Sequence, residues 1–279
     1  MSYKKILTIQ DISCVGQCSL TVALPILSAC AMETCILPSA VLSTHTAGFT
    51  GFTFRDLTDD MPGIKEHWRK ENISFDAIYT GYLGSVKQID IVKDIFASVL
   101  KPGCPAIVDP AMADGGKLYS IFDMTYVNEM KTLCAQADII LPNIAEACFL
   151  TGIEYKEVYD EAYIESLVAA LYDLGAKTVV LTGVSYAEDK TGVLVSENGK
   201  AQYYEHKKIA RGCHGTGDVY ASAFVGAFLN GFSAFDSAKI AADYTVECIE
   251  VTHGDESHWY GVKFEMCLGS LMKKLGLVK

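Results

Sequence analysis

The sequence predicts an α/β protein built on a single doubly wound, mostly parallel β-sheet flanked by helices. Short runs rich in β-forming residues, such as 4–10 and 105–108, alternate with longer stretches of helical periodicity such as 86–100. This alternation is typical of βαβ units, whose crossover helices cover both faces of a parallel sheet. Because no linker, internal repeat or low-complexity segment interrupts the pattern, we expect one domain spanning residues 1–279.

The elements expected in the first half of the chain are indicated by apolar runs and helical spacing. Apolar side chains at Ile6, Leu7 and Ile9 predict a buried first strand, and a loop of small residues then leads into an apolar helical run. Pro62 is expected to interrupt a helix between residues 56 and 72. In order, the expected elements are strand 4–10, helix 18–31, strand 34–37, helix 56–72, strand 75–80, helix 86–100 and strand 105–108.

The second half continues the alternation and adds a hairpin. Gly175 is expected to end a helix, as glycine often does. The pair Asn198-Gly199 is typical of a two-residue hairpin turn. The expected elements are strand 137–141, helices 146–150 and 159–174, strand 177–181, hairpin strands 192–195 and 201–204, and helices 219–232, 235–251 and 264–275.

Composition and charge exclude several classes of protein. Hydrophobic residues make up 50% of the chain and charged residues 20%, as in an ordinary well-cored globular protein. The net charge of −11 argues against nucleic acid as the main partner. No apolar stretch approaches the length of a membrane span and no signal sequence is evident, so we expect a cytoplasmic protein with no membrane partner. The ten cysteines are scattered without a C-x-x-C pair, which indicates buried free thiols.

A glycine-rich stretch before the apolar run 219–232 is the strongest local signal for chemistry. Gly215, Thr216 and Gly217 place small residues where a loop becomes a helix, so backbone N–H groups at the positive helix end can face a phosphate. Asp218 lies in the first helical turn, where we expect its carboxylate to stay ionised. A negative base beside an anion-binding turn suits phosphoryl transfer to an alcohol. Taken alone, the stretch is explained equally well as a capped helix start that is rich in glycine.

Polar side chains that follow predicted strands are a second signal. In open parallel sheets, ligands bind beyond the carboxyl ends of the strands. Eight polar residues are expected to share that rim: Ser13, Thr46, Tyr82, Asp109, Asn143, Glu146, Thr182 and Asp218. The oxygens of Asp109, Asn143 and Glu146 suit magnesium held jointly with substrate phosphates. Asn143 and Glu146 could equally cap a helix.

Residues 38–54 predict a binding loop. This segment is rich in hydroxyl groups and glycine and also contains Phe49, Phe52 and Phe54. A surface connection that needs only solubility would hardly carry three phenylalanines, so we favour a ligand-binding role for it.

Together these residues resemble the ribokinase-like superfamily, and within it the pyridoxal kinases. Three motifs match the family pattern in type, order and spacing: the Gly215-Thr216-Gly217-Asp218 turn, the Asp109-Pro110 strand end, and Leu141-Pro142-Asn143 followed by Glu146. Ser13, the segment 43–46 and Tyr82 resemble the family's vitamin-binding positions. The similarity covers essentially the whole chain and implies a ribokinase-like fold without a large lid domain.

The resemblance implies ATP-dependent phosphorylation of the 5′-hydroxymethyl group of a B6 vitamer, namely pyridoxal, pyridoxamine or pyridoxine. Asp218 would be the general base, and the N–H groups of residues 215–217 would form the anion hole. Ser13 would hydrogen-bond the pyridine nitrogen, Thr46 would contact the ring substituents, and Tyr82 would line the same pocket. The preferred vitamer stays open at this point.

The resemblance also implies metal and nucleotide ligands. Asn143 and Glu146 would organise Mg²⁺, mainly through water, and Asp109 and Asp114 would help to place a metal. Asp109, Asn143 and Glu146 would also serve the ATP site, whose nucleotide side Thr182 would line. The family often adds a monovalent cation such as K⁺, and a homodimer is expected.

Two features depart from the family pattern. Leu141 stands where many relatives have threonine, which removes a hydroxyl group from the monovalent-cation region. Cys213 and His214 place two reactive side chains directly before the glycine turn, and their role stays open. A thiol beside an anion-binding helix start could have a lowered pKa and meet an aldehyde, but packing or solvation explains these residues more simply.

Three other functions remain as alternatives. The hydroxymethylpyrimidine kinases of the same superfamily act on a similar heterocyclic alcohol, but they often have cysteine where this chain has Asp218. Sugar and nucleoside kinases usually carry a Gly-Gly segment after the first strand and a lid sheet, which this sequence does not show. A nucleotide- or vitamin-binding module without catalysis would have no need of a base.

Overall fold

A central β-sheet organises the protein, whose computed structural model describes residues 3–209 and 214–279. In chain order the strands are β1 (Lys5–Ser13), β2 (Glu33–Leu42), β3 (Phe54–Asp56), β4 (Ala77–Thr80), β5 (Ala106–Val108), β6 (Ala113–Asp114), β7 (Lys117–Leu118), β8 (Ile139–Ile140), β9 (Thr178–Val184), β10 (Lys190–Glu197) and β11 (Lys200–Lys207). Nine of them form one sheet in the order β11–β10–β9–β8–β5–β4–β1–β2–β3, and β6 pairs with β7 separately. The strands from β9 to β2 in this order run parallel, with antiparallel strands at both edges.

Helices cover both faces of this sheet, which confirms the doubly wound α/β prediction. They are α1 (Leu20–Ala29), α2 (Met61–Lys70), α3 (Val86–Val99), α4 (Met124–Cys134), α5 (Ile144–Thr151), α6 (Glu161–Asp173), α7 (Thr216–Leu229), α8 (Ala234–Thr252) and α9 (Leu268–Lys274). Buried residues of α2 to α6 belong to one hydrophobic core, and those of α1, α7, α8 and α9 belong to a second.

The two cores follow from the alternation of side chains along the central strands. On β1, Ile6 packs into the core of α1 and α7, whereas Leu7 and Ile9 pack into the core of α3 and its neighbours. On β4, Tyr79 and Ile78 divide in the same way. Successive side chains of a strand point to opposite faces, so a central strand that is covered on both sides is largely apolar, although β1 also buries Thr8 and Gln10.

The first two strands and the segment after them differ from the sequence-based expectation. β1 continues to Ser13 and β2 to Leu42 because the two strands pair along their length, with a register irregularity between Gln10 and Ile12. The expected helix over residues 56–72 is shorter, and its beginning was wrong. Phe54–Asp56 forms the antiparallel edge strand β3 against β2, and the helix begins only at Met61.

The expected hairpin is confirmed, and other elements were missed. Asn198 and Gly199 both have positive φ and join β10 to β11 with Glu197 opposite Lys200, as a two-residue turn requires. The helix α4 and the small β6–β7 hairpin were not predicted. The last expected helix begins as a 3₁₀ turn, Phe264–Cys267, before α9. In the part of the chain that the structure describes, no helix is both long enough and apolar enough to cross a membrane.

A prediction of stability follows from the contact between α7 and the end of α1. A Cβ added to Gly226 would lie less than 3.0 Å from both the Sγ and the Cβ of Cys30, which is buried. We therefore expect Gly226→Ala to lower the free energy of unfolding by about 1–3 kcal/mol in urea denaturation, because the two helices must separate.

Gly63→Ala is the matched control for that change. Gly63 also lies in a helix, but a Cβ there would meet none of the described atoms within 4 Å. The control should be neutral or should stabilise by up to about 0.5–1 kcal/mol, through the helix propensity of alanine. Equal effects of the two changes would contradict the packing argument.

Candidate active site

The candidate site lies where the order of strands reverses. The chain passes from β1 outward to β2 and then returns to β4 on the other side of β1. This change of direction leaves a crevice between the carboxyl ends of β1 and β4, which is where open α/β sheets bind ligands. Asp11 and Ser13 lie at the end of β1, and Gly81 and Tyr82 follow β4.

Asp11 and Ser13 form a buried hydrogen-bonded pair at this point. Ser13 Oγ donates to Asp11 Oδ2 at 3.0 Å, and the two residues are 1% and 5% exposed respectively. Burial raises the pKa of Asp11, and the side chains of Ser19 and Ser13 partly oppose that shift. Ser13 was predicted as a site residue, whereas Asp11 was not.

Asp218 lies in the first turn of α7, close to this pair. Burial of its carboxyl group raises its pKa to about 7, the backbone N–H of Ser19 lowers it, and the charge of Asp11 raises it further. The expectation that this carboxylate simply stays ionised was therefore wrong. Desolvation outweighs the helix dipole here, so at neutral pH the group can both take and release a proton.

The turn before Asp218 packs against the first loop. Gly215, the N-cap of α7, has φ = 76°, and a Cβ there would lie less than 3.0 Å from the carbonyl oxygen of Gln17. At Gly217 an added Cβ would meet none of the described atoms within 4 Å, so residues 3–209 and 214–279 leave space beside the helix terminus. Thr216 begins α7 between these glycines. A helix N-terminus with open space beside it suits an anion.

Asp109 and Glu146 bring two more carboxyl groups to the same rim. Asp109 directly follows β5, and its pKa is raised well above the usual value by burial and by the charges of Glu146 and Asp218. Burial likewise raises the pKa of Glu146 to about 8, against the effect of three backbone N–H groups that donate to it. Asp109 is thus close enough to Glu146 and to Asp218 for their charges to affect its pKa, as the strand-end argument predicted.

Asn143 and Glu146 form a capping box at the start of α5. Glu146 N donates to Asn143 Oδ1 at 2.9 Å, and Asn143 N donates to Glu146 Oε2 at 2.8 Å. The same side chains hold the loop before β6, because Met112 N donates to Glu146 Oε1 and Asn143 Nδ2 donates to the carbonyl oxygen of Ala113. The helix-cap interpretation of this pair is therefore confirmed.

The described residues do not assemble a complete protein-only metal site. Over residues 3–209 and 214–279, no group of three or more His, Cys, Asp or Glu side chains is arranged to hold a metal ion. Asp114 is exposed on β6, although its charge still acts on Glu146. Asp109 and Glu146 are nevertheless buried carboxylates without a cationic partner among the causes of their shifts. They are the kind of oxygen donors that Mg²⁺ shares with substrate phosphates.

The remaining expected residues lie around this centre. Tyr82 is close enough to Asp11 for that charge, together with burial, to raise its pKa. Thr46 is exposed in the loop after β2. Thr182 pairs with Asn143 through a β-bridge and so lies beside the acidic rim. Tyr119, which is 41% exposed, was missed: partial desolvation raises its pKa, as do the charges of Glu146, Asp109 and Asp218.

An aromatic wall formed by His45, Phe49, Trp259 and Tyr260 joins the loop after β2 to a distant part of the chain. The ring of Phe49 lies 4.9 Å from that of His45 and 4.6 Å from that of Trp259, measured between centroids. His45 Nδ1 accepts from Ala47 N at 3.1 Å, and Nε2 lies 2.7 Å from the carbonyl oxygen of Tyr260. Both ring nitrogens are therefore engaged, and burial lowers the pKa of His45.

The residues before the glycine turn are only partly described. His214 is exposed, and its ring centroid lies 5.7 Å from that of His45. Cys213 lies outside the described residues. His214 therefore adjoins the aromatic wall, and the wall is linked to the end of β1 through His45, whose charge acts on Asp11.

Comparison with known proteins identifies the family. Residues 64–261 match the family model described as phosphomethylpyrimidine kinase. The chain belongs to this family. It is therefore a kinase of this family, and its fold is the ribokinase-like fold expected from the sequence.

Individual relatives carry two kinds of name. A Bacteroides thetaiotaomicron protein, named as a candidate phosphomethylpyrimidine kinase and crystallised with pyridoxal, is 37% identical, with a TM-score of 0.91 over 97% of this chain and 96% of that one. Pyridoxal kinase from Lactobacillus plantarum is 30% identical, with a TM-score of 0.89 over 98% of each chain. A hydroxymethylpyrimidine/phosphomethylpyrimidine kinase of Bacillus subtilis is 25% identical over 79% of this chain and 82% of its own.

The raised pKa of Asp218 predicts a cost in stability. In the folded state its pKa is about 7, against about 3.9 in the unfolded chain. The folded state therefore binds the proton more tightly, and this group lowers the free energy of unfolding progressively as pH rises from about 4 to about 7. We expect Asp218→Asn to raise the free energy of unfolding by roughly 1–3 kcal/mol at pH 8 and by much less at pH 5.

Asp236→Asn is the matched control in the same denaturation series. Asp236 is likewise the third residue of a helix, α8, but it is exposed. Removal of its charge should be neutral or slightly destabilising, with no gain at high pH. If Asp218→Asn raises the free energy of unfolding equally at every pH, the ionisation of the buried carboxyl group is not the source of the cost in stability.

Proposed function

We propose that this protein phosphorylates the 5′-hydroxymethyl group of a B6 vitamer with ATP, giving the vitamer 5′-phosphate and ADP. The observation that carries the proposal is the position of Asp218, a carboxyl group with a pKa of about 7 in the first turn of a helix that begins at a glycine. A base whose pKa lies near the operating pH is suited to removing a proton from an attacking alcohol.

The surroundings of Asp218 suit a planar heteroaromatic alcohol. On one side lies the polar pair of Ser13 and Asp11, and the aromatic wall with Phe49 and Trp259 borders the crevice. Pockets of this kind combine apolar surface with a few fixed polar groups that orient the ligand. The pyridoxal present in the Bacteroides crystals supports a vitamer as the ligand here. Ser13, Thr46 and Tyr82 would be the residues that hold the ring.

In the proposed reaction the hydroxyl oxygen of the vitamer attacks the γ-phosphorus of ATP. Asp218 takes the hydroxyl proton as the new O–P bond forms, and the bond between the γ-phosphorus and its bridging oxygen breaks, leaving ADP. The N–H groups of Gly215, Thr216 and Gly217 and the dipole of α7 would stabilise the charge on the transferring phosphoryl group. Positioning and electrostatics do most of this work.

Asp109, Glu146, Asn143 and Asp114 would hold Mg²⁺ around the ATP phosphates. The fit rests on Asp109 and Glu146: burial raises the pKa of both, and neighbouring carboxyl charges raise them further, so a bound cation would offset the cost of their negative charge. Bound magnesium supplies charge neutralisation for the phosphates. Asn143 and Glu146 would act through water, since their side chains already serve the capping box. Thr182 would line the nucleotide side. Whether K⁺ is required stays open, because Leu141 removes a hydroxyl group from the monovalent-cation region.

Hydroxymethylpyrimidine phosphorylation is the second candidate function. It is favoured by the matched family model and by the Bacillus subtilis relative, and in this chain it would use the same Asp218 and the same anion hole. The two functions differ only in the ring that the pocket accepts, so substrate comparison decides between them.

A coupled ADP-release assay tests the proposal directly. We expect at least about tenfold higher kcat/KM for pyridoxal, pyridoxine or pyridoxamine than for hydroxymethylpyrimidine, measured with and without K⁺. Asp218→Asn should lower kcat by about 10²–10⁴-fold, because the proton acceptor is lost, while ATP binding is kept. Asp236→Asn serves as the control and should keep full activity. Turnover of hydroxymethylpyrimidine alone would favour the second candidate, and full activity of Asp218→Asn would exclude this residue as the base.

Ser13→Ala tests the substrate side of the site. We expect the KM for the vitamer to rise about 5–15-fold, the cost of one hydrogen bond, while the KM for ATP stays unchanged. Ser28→Ala, an exposed serine of α1, is the control and should change neither constant. An equal rise of both Michaelis constants in Ser13→Ala would place Ser13 in a structural role.

A further inference from the structure

Asp11 is a buried carboxyl group of the site for which the proposed reaction has no task. It lies at the irregularity in the β1–β2 pairing, where the register shifts between Gln10 and Ile12. Ser13 Oγ donates to its Oδ2 at 3.0 Å, and the side chain of Ser19 also faces it. A carboxyl group that is only 5% exposed is costly to bury, so its retention at the substrate crevice calls for a function.

The hydrogen bond to Asp11 determines what Ser13 can offer a ligand. A serine hydroxyl has one proton and two lone pairs. The proton of Ser13 points to Asp11, so towards the crevice Ser13 can only accept a hydrogen bond. A neutral ring nitrogen also only accepts, and two acceptors repel each other. A protonated ring nitrogen donates, and therefore forms a continuous chain from the ring through Ser13 to Asp11.

The charges around Asp11 favour the same form of the ring. The titratable groups whose charges act on it, or on which its charge acts, include Asp218, His45, Tyr82 and Cys18. None of these four is a lysine or arginine, and both ring nitrogens of His45 are engaged with backbone groups. A positive ring N–H would thus face two nearby carboxyl groups without a competing protein cation in this set.

We propose that Asp11, acting through Ser13, holds the vitamer ring in its N-protonated form and so selects heterocycles that carry a ring N–H at neutral pH. The inference rests on the proposed function and specifies which protonation form of the ring is bound. B6 vitamers meet the requirement without a net proton, because the proton of the 3-hydroxyl group can move to the ring nitrogen and give a zwitterion. Hydroxymethylpyrimidine has no ring hydroxyl group that could do the same. Asp11 is then a positioning residue, and Ser13 is the group that touches the ring.

The ultraviolet spectrum of bound pyridoxine tests this directly, because the zwitterionic and uncharged rings absorb at different wavelengths. The spectrum is recorded without ATP, as a difference between bound and free pyridoxine over a pH series. With the wild-type protein we expect the N-protonated spectrum to persist at least about one pH unit above the point at which free pyridoxine loses it, a tenfold stabilisation of that form. Asp11→Asn should abolish the displacement, since the amide carries no charge.

Kinetics with matched variants separates this role from a structural one. Asp11→Asn should raise the KM for pyridoxine at least about tenfold and leave the KM for 3-deoxypyridoxine, which cannot form the zwitterion, within about twofold of wild type. The KM for ATP should not change. Asp236→Asn is the control, because Asp236 also accepts from a serine hydroxyl, that of Ser233, but at the exposed start of α8. It should match wild type in spectrum and kinetics.

The possible failures can be told apart. An uncharged spectrum of pyridoxine bound to wild-type protein, or a protonated spectrum that survives in Asp11→Asn, would overturn the inference and leave the proposed function intact. Absence of pyridoxine binding and turnover would overturn both. If Asp11→Asn does not fold, Ser13→Ala provides the same test, because it breaks the chain between ring and carboxylate; a retained displacement in that variant would also overturn the inference.

Discussion

The close approach of Gly215 to the carbonyl oxygen of Gln17 is the constraint on which the rest of the site depends. No side chain fits between these two segments, and the left-handed backbone at Gly215 strongly favours glycine. This contact brings the N-terminus of α7 against the loop after β1. As a consequence, the N–H of Ser19 reaches Asp218, and the acid at the end of β1 comes within range of the acid on the helix. The turn at Gly215–Gly217, the carboxyl group of Asp218 and the pair of Asp11 and Ser13 are therefore one assembly.

The same assembly explains why the carboxyl groups of the site have raised pKa values. Asp11, Asp109 and Glu146 are buried and Asp218 is partly buried, and each of their pKa values is raised. Burial of like charges costs stability, and the capping box and the hydroxyl groups around Asp11 offset part of that cost. Accumulated negative potential of this kind is suited to ligands that bring positive charge: a metal ion with the nucleotide, and a protonated ring with the substrate.

Much of the fold could be predicted because its signals are local. Short stretches of sequence indicate the alternating strands and helices, the Asn198-Gly199 turn and the helix cap at Asn143. The strand-end rule also located Asp109 and Asp218 on a common rim, because it needs only the order of the strands. The edge strand at Phe54–Asp56 was missed, since its exposed residues have no apolar pattern and it exists only through pairing with β2.

The parts of the site that could not be predicted depend on contacts between distant residues. Asp11 looks like a loop residue in the sequence, and only the pairing of β1 with β2 along its full length places it at a buried strand end. Trp259 contacts Phe49 across more than two hundred residues of chain, so no local pattern connects them. The titration of Asp218 was misjudged for the same reason: the helix dipole can be inferred from the sequence, whereas desolvation depends on the tertiary structure.

Two parts of the crevice differ in how they are held: the strand ends of the sheet, and the loops that carry the aromatic wall. Elements close to the sheet supply the fixed charges, because strand ends are held by the hydrogen bonds of the ladder and cannot adapt to a ligand. The aromatic wall joins two loops through His45 and the backbone of Tyr260, and it reaches the acids through the charge contact between His45 and Asp11. Phosphoryl transfer needs the rigid part, which the two candidate functions share. On the proposed function, the loops and the pair of Ser13 and Asp11 select the ring, so that one fold can serve either candidate heterocycle.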